Sequence, residues 1–417
     1  MLSASSRPQV VHIATRYLRG GSEGRIRDIV LSFPEADHHV ILGPESDLDL
    51  ARRHLLPRTL TIVPGLVREP DIVKDIIALG KLASLLRRSP FDLVVTHQSK
   101  AGVLGRMAAR VSGGTPVVHS LSMTSFGPGY PGWQDFAYRT LEARLARLTT
   151  TYAVAGRDLA SRYRSIGVPT SKLNVVRSGV RLPSITTLTD ESRQRLCDDL
   201  GIPGDRPLVL YLGSLEPRKN VLSLPPFLSQ LLAFESPDRP FLVVAGEGPL
   251  AGELERRLEA MGLSGDAAFL GFVTDPVPLV VMANAIVLLS TAEGISQVLV
   301  QAAAAGTPFV AYAVDGTQEL LDEGAVGAVV PLGDVGAAAM AAFDVIRGRR
   351  GSAPSIDLSG WDEAEIAAGY RRLLTSALSG RSNGGAAAST GTTERFVPRP
   401  PARTALPVSE RDSGTRT

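Results

Sequence analysis

Residues 285–319 constrain the fold of this 417-residue chain more than any other segment. An apolar run, AIVLLS (Ala285–Ser290), leads into a short polar loop with Glu293, and an alanine-rich helix pattern follows. A second apolar run, FVAYAV (Phe309–Val314), comes next and opens into a loop that ends at Glu319. The pattern predicts strand, loop, helix, strand and loop. Both loops then follow the carboxyl ends of parallel strands, where open α/β sheets bind ligands.

The loop before the helix pattern carries groups suited to a ligand with phosphates and hydroxyls. A helix N-terminus presents unpaired backbone N–H groups and a partial positive charge, and both favour a bound diphosphate. Glu293 and Gln301 lie on either side of this N-terminus and can bond sugar and ribose hydroxyls. The segment therefore predicts one wall of a binding site.

Short apolar strands alternate with helix patterns in two series. The strands expected in the first series are Val10–Ala14, His39–Gly43, Asp92–His97, Pro116–Leu121 and Thr150–Ala155. Those expected in the second are Leu208–Gly213, Pro240–Gly246, Ala267–Phe272, Ala285–Ser290, Phe309–Val314 and Ala325–Val330. Such alternation favours parallel sheets built of βαβ units. The predicted fold is α/β, with two Rossmann-like domains that face a cleft.

Domain boundaries follow from changes in composition along the chain. We predict a first domain over residues 1–181 and a second over 182–360, joined by the Pro- and Thr-rich segment 181–190. Residues 361–379 have a helix pattern and are expected to pack back toward the first domain. Residues 380–417 are rich in Gly, Ser, Thr, Pro and Arg and have few apolar side chains, so they are expected to be disordered.

Cysteine content and hydropathy bear on the compartment. The single cysteine, Cys197, excludes a disulfide framework and fits a reducing environment. The first residues lead directly into a strand without the pattern of a signal peptide, and no run reaches the roughly 18 apolar residues that span a bilayer. We therefore expect a cytoplasmic protein, with peripheral contact at the inner membrane face as a further expectation.

Charge is spread unevenly between the two predicted domains. Residues 1–181 carry a net charge of +11 and residues 182–379 a net charge of −12, although the whole chain carries only +2. One interpretation is that the basic half meets an anionic partner, either a phosphorylated substrate or anionic lipid. The other is that the two domains attract each other across the cleft. Both remain open from the sequence.

Two glycine-bearing loops resemble phosphate-binding loops in composition. Paired glycines at Gly20-Gly21 follow the first strand and allow the backbone to approach a ligand closely. Residues 213–220, GSLEPRKN, place Arg218 and Lys219 at a strand end, where two cations can neutralise a diphosphate. Each loop taken singly also fits an ordinary turn with solvated charges.

A third loop, AGEGP at residues 245–249, also follows a predicted strand. Its glycines would admit a flat ligand such as a nucleobase, and Pro249 is well placed to open the next helix. A plain connecting loop is the ordinary alternative. Four loops of this kind at the carboxyl ends of strands arise by chance much less often than one does. Together they therefore predict a single ligand site.

Other catalytic patterns are missing from the sequence. It contains no H-E-x-x-H, Cys/His cluster, Walker A loop or G-x-S-x-G. His119 lies in a predicted strand near the expected cleft and is kept as a candidate catalytic residue, although a buried structural role is the commoner one for a strand histidine.

These motifs together resemble the retaining nucleotide-sugar glycosyltransferases of the GT-B fold, family 4, and the resemblance spans residues 8–378. The matching motifs are Glu293-Gly294, Gly306-Thr307-Pro308, residues 316–319, GSLEPRKN at 213–220, GGSEG at 20–24 and Thr96–Arg110. The last resembles the first-domain segment of members that add sugars to lipid-linked or secondary-metabolite acceptors. The combination is specific for the family but not for a subfamily.

The resemblance implies roles for individual residues. Lys219 and Arg218 would hold the donor diphosphate and stabilise the charge of the leaving group, and Glu293 would lie near the donor sugar. The implied donor-binding residues are Gly20, Gly21, Gly213, Ser214, Gly246, Glu247, Gly294, Ile295, Ser296, Gln301 and Glu319. The resemblance implies no cofactor beyond the nucleotide sugar itself and no metal, since Lys219 and the helix N-terminus would supply the positive charge.

Three positions depart from the family pattern. Gln301 stands where many members have a second glutamate that bonds ribose, although an amide can also bond hydroxyls. Ser214 replaces an arginine that often follows the glycine of the phosphate loop. Ser122 occupies the position of a histidine found in many members, and His119 lies three residues earlier.

The resemblance implies a hexosyltransferase-type enzyme that transfers a sugar from a UDP-sugar to an acceptor with retention of anomeric configuration. The acceptor would be a lipid-linked sugar or a small metabolite, in carbohydrate or secondary-metabolite biosynthesis, and no nucleic acid is expected. Two alternatives remain: a nucleotide-sugar epimerase of the same fold, and a catalytically weakened nucleotide-sugar-binding partner subunit.

Overall fold

The computed structural model describes residues 7–18, 21–127, 129–180, 182, 187–234, 239–348 and 356–380. Residues 381–417 of the segment predicted to be disordered, half of the predicted hinge at 181–190, and Gly20 with its predicted role therefore lie outside the described residues. Among the described residues, no helix combines the length and the apolar composition needed to cross a bilayer.

The described strands fall into two parallel sheets, one in each half of the chain. The first sheet contains β1 (Gln9–Ala14), β2 (Asp37–Leu42), β3 (Thr59–Ile62), β4 (Leu93–His97), β5 (Val117–Leu121), β6 (Thr151–Val154) and β7 (Leu173–Val175). The second contains β8 (Leu208–Leu212), β9 (Phe241–Ala245), β10 (Ala267–Gly271), β11 (Ala285–Leu288), β12 (Phe309–Tyr312) and β13 (Gly327–Val330). The strand orders are β3-β2-β1-β4-β5-β6-β7 and β10-β9-β8-β11-β12-β13.

Helices connect the strands in both halves. In the first half they are α1 (Gly21–Leu31), α2 (Leu48–Leu55), α3 (Ile72–Arg88), α4 (Ser99–Val111), α5 (Gly132–Leu145) and α6 (Arg157–Ser165). In the second half they are α7 (Asp190–Leu200), α8 (Leu224–Ala233), α9 (Ala251–Ala260), α10 (Val277–Met282), α11 (Gln297–Ala305), α12 (Thr317–Asp322) and α13 (Val335–Arg347), and α14 (Glu363–Ser379) follows. The predicted fold class, two Rossmann-like α/β halves, is confirmed.

Elements that sequence reasoning missed lack a strong apolar pattern. β3 and β7 are edge strands, and their side chains are partly or fully exposed, so they lack the buried run that marks a central strand. The structure corrects one prediction at α12. Glu319 was expected in a loop, but it lies inside this six-residue helix. The helix begins directly after Gly316, which has a φ of 82°, a conformation that glycine adopts readily.

The last described helix returns to the first half. Ile366, Tyr370 and Leu373 of α14 are buried in one cluster with Val10 of β1 and Ile29 of α1. The Tyr370 ring also lies 5.3 Å from the guanidinium carbon of Arg25, a side chain with no exposed surface. The second half is therefore attached to the first by packing of this helix as well as by the connecting chain.

Three buried histidines form a chain of ring contacts across the first sheet. His12 Nε2 lies 2.9 Å from His38 Nδ1, and His12 Nδ1 lies 3.2 Å from His97 Nε2. Burial is the main cause that lowers the pKa of all three rings, and it lowers the pKa of His97 to about 3. All three are therefore neutral in the folded protein at neutral pH.

We expect the folded state to lose stability as the pH falls from 7.5 to 5.5. An unfolded histidine binds a proton near pH 6.5, whereas these three stay neutral, so acid favours the unfolded chain by about 1 kcal/mol per histidine over this range. The contribution of these neutral histidines to the stability of the fold is complete above pH 6.5. It declines as the pH falls below 6.5 toward their lowered folded-state pKa values. Urea titrations at several pH values measure this; an unfolding midpoint that stays constant from pH 7.5 to 5.5 contradicts it.

Candidate active site

Two glycine loops run side by side at the carboxyl edge of the second sheet. The N–H of Gly213 donates to the Ala245 carbonyl (3.0 Å), and the N–H of Leu215 donates to the Glu247 carbonyl (2.8 Å). A Cβ atom on Gly246 would lie 1.9 Å from the Gly213 carbonyl oxygen. The predicted glycines thus permit two backbones to touch, and the Ser214 hydroxyl is fixed by a 3.0 Å hydrogen bond to Glu216.

In the structure, the two predicted cations, Lys219 and Arg218, both contact the carboxylate of Glu293. Lys219 Nζ lies 2.5 Å from one carboxylate oxygen of Glu293, and Arg218 Nη1 lies 3.1 Å from the other. Arg218 also donates to the Ala292 carbonyl (2.9 Å) and to Glu216 (2.9 Å). Glu293 therefore forms one charged cluster with two residues that lie 74 and 75 positions earlier in the chain.

Electrostatics keep this cluster ionised. Burial acts to raise the pKa of the Glu293 carboxyl, but the charges of Lys219 and Arg218 outweigh it and hold that pKa below its usual range. For Arg218, burial acts to lower the pKa, and the carboxylates of Glu293 and Glu216 raise it. The cluster thus holds two full positive charges beside one buried carboxylate and one half-buried carboxylate.

The N-terminus of α11 lies next to the cluster in the chain. Ser296 is its N-cap residue and is buried, but its side chain makes no capping hydrogen bond. A Cβ atom on Gly294 would lie 1.7 Å from the carbonyl oxygen of Ser122, so only glycine fits where this loop meets the first half. Ile295 packs near Gly156 and Gly316, because Cβ atoms on those glycines would lie 2.7 and 2.8 Å from it.

Gln301 is also part of α11 and is buried about as deeply as Glu293, with 9% of its surface exposed. It lies on the second turn of the helix that Ser296 caps. The glutamine that departs from the family pattern therefore lies in the packed interior and not on the surface.

Glu319 holds the two halves together in this structure. Its carboxylate accepts hydrogen bonds from the backbone N–H groups of Arg157 (2.9 Å) and Asp158 (3.2 Å), at the start of α6. The Arg177 guanidinium donates to it at 2.6 Å. This carboxylate is only 1% exposed and is engaged with the first half. The donor-binding role of Glu319 stays a prediction, and it requires that a ligand displace these partners.

Further ion pairs cross the same seam. Arg162 of α6 forms a bidentate contact with Asp315, with Nε 2.8 Å from one carboxylate oxygen. The Gly316 N–H donates to Asp158 at 3.0 Å. These contacts could not be predicted from the sequence. Charged residues on the first turns of α6 give the same sequence pattern whether they face water or another domain.

The space left at the seam is small. A pocket with a cavity volume of about 10 Å³, room for about one water molecule, is lined by Tyr130 and Arg162 of the first half and by Glu293 and Asp315 of the second. Ligand pockets commonly measure about 300–1,000 Å³. The halves must therefore separate, or the loop containing Tyr130 must move, before a ligand as large as a nucleotide sugar can enter.

Two first-half candidates stand apart from the cluster. His119 is fully buried, its Nδ1 lies 2.9 Å from Thr96 Oγ1, and a Cβ atom on Gly102 would lie 2.3 Å from its ring. The ring is therefore enclosed by its own strand and helix neighbours, and the catalytic role of His119 stays a prediction. Gly21 is the first residue of α1, and Gly20 lies outside the described residues.

Two family models match the chain, one in each half. The model described as "Glycosyl transferases group 1" matches residues 192–350, and the model described as "Glycosyl transferase 4-like domain" matches residues 20–179. The chain belongs to the group 1 glycosyltransferases. The predicted family and the predicted class of enzyme are confirmed.

Curated relatives of this glycosyltransferase carry transferase names. It is 27% identical over 278 residues to an Escherichia coli protein named UDP-Gal:alpha-D-GlcNAc-diphosphoundecaprenol alpha-1,3-galactosyltransferase, over 66% of this chain and 71% of that one. It is 31% identical over 198 residues to the 2-deoxystreptamine N-acetyl-D-glucosaminyltransferase of Streptomyces fradiae, over 45% of this chain and 46% of that one.

Solved structures share the fold of this glycosyltransferase. The sucrose-phosphate synthase of Thermosynechococcus elongatus superposes with a TM-score of 0.68 at 19% identity, over 90% of this chain and 100% of that one. HepE of Anabaena in complex with UDP-glucose gives 0.66 at 18% identity, over 88% and 99%. At these identities the likeness concerns the fold alone.

Proposed function

We propose that this enzyme transfers a sugar from a UDP-sugar to an acceptor, with retention of anomeric configuration. The observation that carries the proposal is the cluster of Lys219, Arg218 and Glu293 beside the N-terminus of α11. Two cations and unpaired helix N–H groups suit a diphosphate. Both cations already face one point, the Glu293 carboxylate.

The chemistry asked of the cluster is stabilisation of a leaving group. The bond between the anomeric carbon and the diphosphate oxygen breaks, and negative charge develops on that oxygen. Lys219 and Arg218 would stabilise this charge, while the acceptor hydroxyl oxygen bonds to the anomeric carbon and its proton passes to the departing diphosphate oxygen. Preorganised positive groups in a site that excludes water are usually the largest contribution to such a rate.

Donor binding is proposed to use the surrounding loops. The backbone at Gly294, Ile295 and Ser296 would donate N–H groups to the diphosphate, and Gln301 would bond the ribose. The remaining donor-binding residues carried over from the family are Gly21, Gly213, Ser214, Gly246 and Glu247, with Gly20 outside the described residues. The independence from metal stays a prediction.

UDP is proposed as the nucleotide because proteins with this fold have been solved with UDP and UDP-glucose, and because the E. coli relative is named for UDP-Gal. GDP is the second choice. The acceptor is proposed to be a lipid-linked sugar or a small metabolite, since the printed names of relatives include both kinds. The epimerase and partner-subunit alternatives are not favoured, because the relatives are named transferases.

A donor screen tests the proposed function. The protein is incubated with UDP- and GDP-sugars in a lysate of the native host, nucleotide release is followed, and products are identified by mass spectrometry and anomeric NMR couplings. We expect release of UDP together with one glycosylated product that keeps the donor's anomeric configuration. Isomerised donor without an acceptor product supports the epimerase instead, and binding without turnover supports the partner subunit.

A further inference from the structure

The chain leaves the first half through a short segment that follows β7, and we call residues 176–179 the connector. Arg25 of α1 holds it from the first half, because the guanidinium donates to the Val176 carbonyl at 2.8 Å. The Arg177 carbonyl accepts a hydrogen bond from the Tyr370 hydroxyl at 3.3 Å. Since the side chains of Arg25 and Tyr370 are both fully buried, this side of the connector belongs to the packed interior of the first half.

Gly179, the last residue of the connector, is held from both sides. Its N–H donates to the Asp28 carboxylate of α1 at 3.0 Å, and its carbonyl accepts a hydrogen bond from the side-chain Nε2 of Gln297 at 3.1 Å. A Cβ atom at this position would lie 2.6 Å from the Asp28 carboxylate, so the close approach requires glycine. Because Asp28 belongs to the first half and Gln297 to the second, one residue of the connector is bonded to both halves.

Gln297 is the first residue of α11 and directly follows the N-cap residue, Ser296. The N–H groups in the first turn of a helix have no partner within the helix, and the N-terminus of α11 is proposed to receive the donor diphosphate. The side chain of Gln297 thus ties that N-terminus to the connector. A separate contact joins Arg177 to Glu319 of α12 at 2.6 Å, so loss of the Gln297 contact releases the N-terminus of α11 without separating the halves.

We propose that Gln297 is a positioning residue, which through Gly179 holds the N-terminus of α11 in the orientation that accepts the donor diphosphate. Without this hydrogen bond the N-terminus is in that orientation for a smaller fraction of the time, and the apparent donor affinity falls in proportion to that fraction. Bound donor then holds the helix in place, so the rate of the chemical step at saturation is preserved. This inference rests on the proposed donor site and adds the residue that orients it.

Gln297→Met tests the proposal, because methionine has nearly the same length as glutamine and cannot donate to the Gly179 carbonyl. We expect KM for the donor identified in the screen to rise roughly three- to tenfold, the usual worth of one hydrogen bond, while kcat changes by less than about twofold. Hydrogen exchange of connector peptides, followed by mass spectrometry without donor, should become faster, because Gly179 is then held from one side only.

Gln194→Met is the matched control. The Gln194 amide donates to Asp198 at 2.8 Å within α7, and the residue is exposed, so this change should leave KM and connector exchange unaltered. A purely structural role for Gln297 would lower the urea midpoint at constant KM, and this result overturns the proposal, as does a fall in kcat at constant KM.

Failure of the proposed function is distinguishable from failure of this inference. Absence of turnover with every donor contradicts the proposed function, and the exchange rates then decide the inference without any need for activity. Faster connector exchange in Gln297→Met than in the wild type supports the link between Gly179 and α11. An unchanged exchange rate overturns it.

Discussion

Lys219→Ala is expected to lower kcat/KM for the donor by roughly 10²–10³ while the protein stays folded. Lys219 supplies one of two cations beside Glu293, and removal of one such preorganised charge from a transition state typically has this effect. The substitution also leaves Glu293 with Arg218 as its remaining partner in the cluster. Steady-state kinetics with the donor identified in the screen measure the change.

Controls separate chemistry from structure in this experiment. Lys81→Ala removes an exposed lysine from α3, far along the helix from its first turn, and should leave kinetics unchanged. The urea midpoint of Lys219→Ala should lie close to that of the wild type, because this side chain is anchored only at its charged end. Full activity in Lys219→Ala would refute the role assigned to the cluster.

Glu142→Gln is expected to destabilise the fold by about 3–5 kcal/mol. Arg106 and Glu142 are 0% and 2% exposed and form a bidentate pair, with nitrogen–oxygen distances of 2.7 and 2.9 Å. Neutralising one partner leaves the other charge buried and uncompensated, which is the costly outcome for such pairs. The shift of the urea unfolding midpoint measures the effect.

Two comparisons identify the cause of that loss. Glu191→Gln breaks an exposed ion pair, in which the Glu191 side chain is 83% exposed and that of Arg195 is 75% exposed. This substitution should change the free energy of unfolding by less than about 1 kcal/mol. The double substitution Arg106→Met/Glu142→Leu removes both charges and should recover much of the loss. If the double variant is as unstable as Glu142→Gln, the uncompensated charge is not the reason.

The architecture could be predicted because buried parallel strands leave a strong signal. AIVLLS and FVAYAV became β11 and β12 with boundaries shifted by two residues. The edge strands β3 and β7 could not be predicted, because one side of each faces no neighbour and their residues are partly exposed. Alternation of apolar runs thus reveals the central strands and both edges of the second sheet, and it misses the two short, exposed edge strands of the first sheet.

The candidate site was predictable in its members but not in its contacts. Lys219 and Glu293 were each singled out by type and by position at a strand end, yet nothing in the sequence pairs them. Glu319 was assigned to the donor, although it accepts hydrogen bonds from the first turn of α6. His119 has a plausible position in a strand, and only the packing against Gly102 reveals that its ring is enclosed.

Calorimetric titration of the purified protein with UDP and a series of UDP-sugars tests whether this chain binds the proposed donor. We expect saturable binding with a dissociation constant in the range of roughly 1 μM to 1 mM, typical of enzyme substrates, and weaker binding by Lys219→Ala than by Lys81→Ala. Absence of binding to every UDP- and GDP-sugar at millimolar concentration, by a protein shown to be folded, would contradict it.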